Sequence, residues 1–288
     1  MSERTVTLVG NNGQREILAC PGGPFELGTN SVLWGTSPVI VNSGRLGGLP
    51  GEVVSSTGFA PRELLVTLVI NEDSNSELDN QIERLTEMVR VNRGDVHLEV
   101  ATTGTRNTNR TIFARYISGL DAVPVRDFDL DILKLRLRFT AHDPFWTNTL
   151  DTFGGLTVKK IPNAIDGTMD YRVFDPGSTA EVWPTWTITG ITENIMASNV
   201  ITGQSWRFTE KLEKSSDVLE IRTDPRGEVG AFVNGGQRLW AFDADSEMWP
   251  LLPQRNIITF SGLNTGTSAG NASIGSYEVR WQQRFENC

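Results

Sequence analysis

Several things are scarce in this chain, and each shortage excludes something. Of 288 residues only 2 are cysteines, Cys20 and Cys288, and the second ends the sequence. Such a pair offers no disulfide framework, so the protein is expected to fold in a reducing cytoplasm. Histidines number only 2, His97 and His142, and no His or Cys pair has finger-like zinc spacing. No apolar run reaches the roughly 18 residues of a membrane-spanning helix. The opening residues, MSERTVTLVG, hold no apolar export core, so Sec export is not expected. Positive charge is in deficit, with 26 Lys and Arg against 35 Asp and Glu and a net charge of −9. An acidic protein is repelled by nucleic acid and anionic lipid, so DNA binding is not the default reading.

What is present points to a globular, mainly-β protein. Apolar residues make up 38% and charged residues 21%, ordinary values for a packed core and not for a disordered chain. The length allows two domains. Glycine is frequent, at 28, and the apolar residues fall in short alternating runs, which favours strands. The most telling run is 133–146, LKLRLRFTAHDPFW. Leu133, Leu135, Leu137, Phe139 and Ala141 alternate with Lys134, Arg136, Arg138, Thr140 and His142, the period of a half-buried strand. Pro144 lacks a backbone N–H, so the ladder ends or meets an edge there, just before Phe145 and Trp146.

Other strands are expected at 5–9, 15–18, 62–70, 97–101, 111–118 and 130–141, with Asn11-Asn12-Gly13 as a turn. Residues 20–61 are rich in Gly, Pro and Ser and read as turns and long loops. One helix is expected at 76–90, where Leu78, Ile82, Leu85 and Val89 form a single apolar stripe. Ser74 with Glu77, or Ser76, supplies its start, and Gly94 lies just past its end. The domain reading is 1–150, then a connector over 151–180, then a second domain over 181–288. In the last, strands are expected at 182–189, 199–208, 217–223, 228–233, 237–242, 256–261 and 275–285, with Asn234-Gly235-Gly236 as a tight hairpin signal. Short strands separated by turns predict a β-sandwich.

The apolar strand closing on Asp143-Pro144-Phe145-Trp146 resembles the end of the N-terminal domain in siphophage distal tail proteins. These Dit-like siphovirus tail components are baseplate hub proteins of long-tailed, non-contractile phages. The resemblance continues through Gly58, Arg62 and the strand to Ile70, the single helix, Val96–Val100, and Arg115-Tyr116-Ile117-Ser118-Gly119. In the second half it rests on Asp175-Pro176-Gly177, Trp183-Pro184-Thr185-Trp186-Thr187-Ile188-Thr189-Gly190, Leu219–Thr223, Trp249-Pro250-Leu251-Leu252-Pro253 and Val279–Phe285. Pro253-Gln254-Arg255-Asn256 departs from the Pro-Gly-Asn usual in the family and leaves that loop's geometry open.

The resemblance implies an N-terminal β-sandwich or split-barrel-like tail domain with one helix and a C-terminal galectin-like β-sandwich. It implies a ring, usually a hexamer, at the distal end of the tail tube. Its partners would be further copies of itself, the tail-tube protein above and hub and fibre proteins below, in a virion assembled in the host cytoplasm. DNA would pass through the lumen without specific binding, and no membrane insertion is implied.

No catalytic, cofactor or metal residues are assigned, no cofactor is expected, and the protein is not read as an enzyme. Gly266-Thr267-Ser268-Ala269-Gly270 matches the nucleophile-elbow pattern, but it lies between strands, and both histidines precede it. It reads as a hairpin tip. His97 and His142 read as packing or surface residues. The Asp243-Ala244-Asp245-Ser246-Glu247 loop lacks the glycine and distal glutamate of a calcium loop, and stray Ca²⁺ binding stays open. Asp127, Asp129 and Asp131 share one side of an extended segment and read as an exposed strand face. Trp183, Trp186, Trp206, Trp240, Trp249 and Trp281 lie in the second domain. The favoured reading is core plus interface. The alternative is a carbohydrate-binding module for host-surface glycans, because aromatic platforms bind sugar rings.

Overall fold

The computed structural model describes residues 3–18, 23–33, 35–36, 38–44, 53–72, 74–90, 92, 94–103, 108–120, 132–148, 156–165, 169–263 and 275–286. The chain divides into two compact units, Met1–Leu150 with Phe285–Cys288, and Asp151–Arg284. The first carries β1 (Glu3–Val9), β2 (Arg15–Ile17), β3 (Phe25–Leu27), β4 (Val39–Gly44), β5 (Val53–Phe59), β6 (Arg62–Asn71), α1 (Asn75–Met88), β7 (Val96–Thr103), β8 (Thr108–Ser118), β9 (Ile132–Ala141) and β10 (Trp146–Asn148). The second carries β11 (Leu156–Ile165), β12 (Asp170–Phe174), β13 (Thr185–Thr189), β14 (Glu193–Asn199), β15 (Ser205–Phe208), β16 (Val218–Arg222), β17 (Gly230–Val233), β18 (Gly236–Gln237), β19 (Asn256–Leu263) and β20 (Gly275–Gln282). A last short strand, β21 (Arg284–Phe285), follows.

In the first unit the strand path is β2-β1-β7-β8-β9-β6-β3, a nearly closed barrel-like sheet, with β10 hydrogen-bonded to both β8 and β21. Strand β9 sits in its middle for the reason its sequence gives. Leu133, Leu135, Leu137, Phe139 and Ala141 are buried, while Lys134, Arg136 and Arg138 are exposed. It pairs with β6 from Arg62↔Ala141 to Asn71↔Ile132. Each fully buried leucine or valine of that face stabilises the fold by about 1.5–3 kcal/mol. After Pro144 the chain turns, and Trp146 enters the core fully buried at the head of β10. Gly119, in the Arg115–Gly119 segment, has φ 124°, and a Cβ there would run into the Arg136 carbonyl oxygen. No other residue type fits.

Helix α1 starts where its cap lies. Ser74 is extended, and its Oγ accepts from the Glu77 N–H at 3.3 Å. The same hydroxyl donates to the Glu77 carboxylate at 3.0 Å. Leu78, Leu85, Met88 and Val89 are buried, and Ile82 is half-buried against the same core.

The second unit is a two-layer sandwich. One sheet has the order β11-β20-β13-β16-β17-β18 and the other β12-β19-β14-β15. Their inner faces meet through aromatic rings. Trp186 of β13 lies 5.6 Å from Trp206 of β15, and Phe260 of β19 stacks on Tyr277 of β20 at 4.0 Å. β17 and β18 join through Asn234-Gly235, both at positive φ (50° and 82°), the geometry of a type I′ hairpin turn.

Some sequence expectations fail for identifiable reasons. Residues 20–61 are not all loop, since they hold β3 and the two-stranded sheet β4-β5. The connector read over 151–180 contains β11 and β12, which are edge strands of the two sheets. Edge strands need fewer aliphatics, and Pro162 falls at a register irregularity of β11, where a missing N–H is tolerated. The strand read at 199–208 is interrupted by a turn over 200–204, closed by Gly203 at φ 76°. The strand read at 237–242 ends at Gln237 and gives way to a 3-10 turn, Leu239–Ala241. Segments 127–131 and 266–270, with Cys20 and Cys288, lie outside the described residues.

Candidate assembly interface

Among the described residues, the side chains singled out for chemistry do not gather. No group of three or more His, Cys, Asp or Glu side chains placed to hold a metal occurs among the described residues. His97 lies on β7, half-buried, with its ring 4.1 Å from Phe113. Burial pushes its pKa below the ordinary value, opposed by Glu99 and Asp95 and aided by Arg15. His142 is exposed just after β9. The Asp243–Glu247 loop is tied to β15 by backbone bonds. Asp243 N donates to Arg207 O at 3.0 Å and Glu247 N to Ser205 O at 2.8 Å.

The tryptophans divide sharply. Trp186, Trp206, Trp249 and Trp281 belong to the second unit's core, as the packing reading expects. The ring N–H of Trp281 donates to Pro176 O at 3.2 Å, which ties the Asp175-Pro176-Gly177 turn to the last long strand. Trp183 is half-buried. Trp240 is 72% exposed and belongs to no core.

The surface features that stand out are apolar. Strands β4 and β5 pair only with each other, and Val39, Ile40 and Val41 are 60%, 45% and 53% exposed. Successive residues of a strand face opposite sides, so this ribbon shows apolar side chains on both faces. Val54 and Phe59 across the pair are exposed as well. Its base is anchored, because Phe59 meets Phe145 edge-on at 4.8 Å, which gives the Asp-Pro-Phe-Trp motif a structural role. The β-branched run Val39-Ile40-Val41 and the pair Val53-Val54 were the signals for this ribbon, hidden within a Gly- and Pro-rich stretch. A second apolar face lies on the outer side of the four-stranded sheet. Tyr171 and Val173 of edge strand β12 are exposed there, as is Val200, which donates its N–H to Ile257 of β19.

No protein-family model matches the chain, and no curated protein matches it. Solved structures do. The crystal structure of the SPP1 Dit protein, described as a paradigm of the hub adsorption apparatus in phages infecting Gram-positive hosts, aligns with a TM-score of 0.66. The alignment covers 97% of this chain and 99% of that one at 14% identity. A chain of the phage P2 baseplate in its Ca-activated conformation aligns over 96% and 98% at 10% identity, with a TM-score of 0.44. The first alignment carries the comparison. The chain shares the fold of the SPP1 Dit protein over nearly the full length of both.

Proposed function

We propose that this protein is a structural component of the tip of a long, non-contractile phage tail. Copies join into a closed ring of six between the tail tube and the hub and host-adhesion proteins. The reading rests above all on one observation: the likeness to the SPP1 hub protein runs through both units and nearly the full length of both chains. The β4-β5 ribbon supports it. A two-stranded sheet is marginal in water by itself. Exposed apolar side chains on both of its faces fit a contact with the next copy, repeated head-to-tail until rotation closes the ring. The function is then assembly within the virion, formed in the host cytoplasm, with no bond made or broken. DNA passes through the lumen, and the chain's net charge of −9 disfavours its adhesion to the wall.

Negative-stain microscopy and light scattering on the purified protein test this reading. Closed rings with the mass of six copies are expected. A strictly monomeric protein at high concentration would overturn it.

A further inference from the structure

We propose that Trp240, Glu210 and Arg238 form a binding site for a neutral pyranose ring. Among the described side chains from 202 to 286, Trp240 is the only large apolar one left exposed. The other second-unit tryptophans are spent on the core or half-covered. Trp240 is also not free to swing. Its ring N–H donates to Glu210 Oε1 at 2.8 Å, which favours one orientation of the indole. The backbone beneath is held as well: Thr209 N and Thr209 Oγ1 both reach Ala241 O, at 2.8 and 2.9 Å, and Arg238 N reaches Ala231 O at 2.8 Å. Ala241, next to the platform, is buried. The result is a flat aromatic surface on a rigid turn.

A carboxylate stands at its edge and a guanidinium over one face. The Arg238 guanidinium lies 5.6 Å from the Trp240 ring centroid, and its Nε is 3.7 Å from Glu210 Oε2. A carboxylate acceptor and a guanidinium donor side by side can hydrogen-bond neighbouring hydroxyls, while the C–H face of a sugar ring lies on the indole face that the guanidinium leaves open. The two charges cancel, which suits a neutral ligand. A protein-interface core needs several apolar side chains together. Here there is one, flanked by charge, and one platform is what a sugar ring requires. The site lies wholly in the second unit and does not depend on ring formation.

The test uses the full chain. Emission of the exposed indole is followed while methyl β-glucopyranoside, methyl β-galactopyranoside, methyl α-mannopyranoside or N-acetylglucosamine is added into the millimolar range. Sorbitol serves as an open-chain control and glucuronate as an anionic one. At least one neutral pyranose is expected to give a saturable blue shift that sorbitol does not give and glucuronate gives only weakly. Trp240→Ala should abolish the shift with no change in melting temperature, since the side chain is exposed. Trp240→Phe should keep binding, and Arg238→Ala should weaken it by about tenfold or more. No shift with any of the four sugars, an equal shift with sorbitol, or a shift that survives Trp240→Ala would each overturn the proposal. So would a Trp240→Ala protein that fails to assemble while no sugar binds, because the side chain would then be a protein contact.

Discussion

Asn256 organises a loop with one amide. Its Oδ1 accepts from Leu252 N at 2.9 Å and from Asn199 Nδ2 at 3.1 Å, and its Nδ2 donates to Leu252 O at 3.0 Å and Gln254 O at 2.8 Å. Both asparagines are fully buried. This is the segment where the sequence departs from the Pro-Gly-Asn pattern, and the asparagine does the work through side-chain bonds. Asn256→Ala leaves buried backbone groups unpaired, and a loss of about 1–3 kcal/mol is expected in urea denaturation. His97 carries a pH signature. Burial holds its folded-state pKa below its ordinary value near 6.5, so the fold favours the neutral ring. The unfolded chain takes up the proton first as pH falls. The stability that His97 contributes is therefore present above about pH 6.5 and is lost as pH drops toward the folded-state pKa. Between pH 7 and 5 the wild type should lose melting temperature relative to His97→Gln, and a constant difference across that range would refute the assignment.

At the scale of the element, legibility followed covering. Strand β9 is covered on one face only, so its side chains alternate, and the buried and exposed sets match the sequence pattern residue by residue. Helix α1 announced itself by its stripe and by Ser74, although Met88, buried with it, falls outside the stripe as read. The ribbon β4-β5 gave no such alternation, because Val39, Ile40 and Val41 are exposed one after another. Val200-Ile201 looked like strand for a related reason: two β-branched residues sit exposed in a turn. The Trp240 platform carried a weaker signal still, since nothing in a run of tryptophans tells which one stays outside the core. If the ribbon is the contact between copies, replacing Ile40 by Lys and Val41 by Asp charges both of its faces. Sedimentation should then show monomers with unchanged circular dichroism. Intact rings in that double variant would assign the contact to another surface.

At the scale of the molecule, the assembly reading turns on closure. A head-to-tail contact that does not close by rotation gives open filaments, so the micrographs must show rings of one size and not a ladder of lengths. Charge on the first unit is used in pairs. Charged side chains such as Arg15 with Glu99, Arg84 with Glu16 and Arg115 with Asp95 are paired across neighbouring elements of the first unit's surface. They tie neighbouring stretches of the first unit together.

The first unit is finished by residues from the far end of the chain. Phe285 is buried in its core, Arg110 lies over that ring at 3.8 Å, and buried Arg62 donates to Glu286 O at 2.5 Å. A polypeptide still on the ribosome with only its first 150 residues made lacks these groups, so this unit cannot reach its final packing until synthesis has passed the whole of the other. The first unit therefore completes its packing only once residues that follow the second in sequence are available.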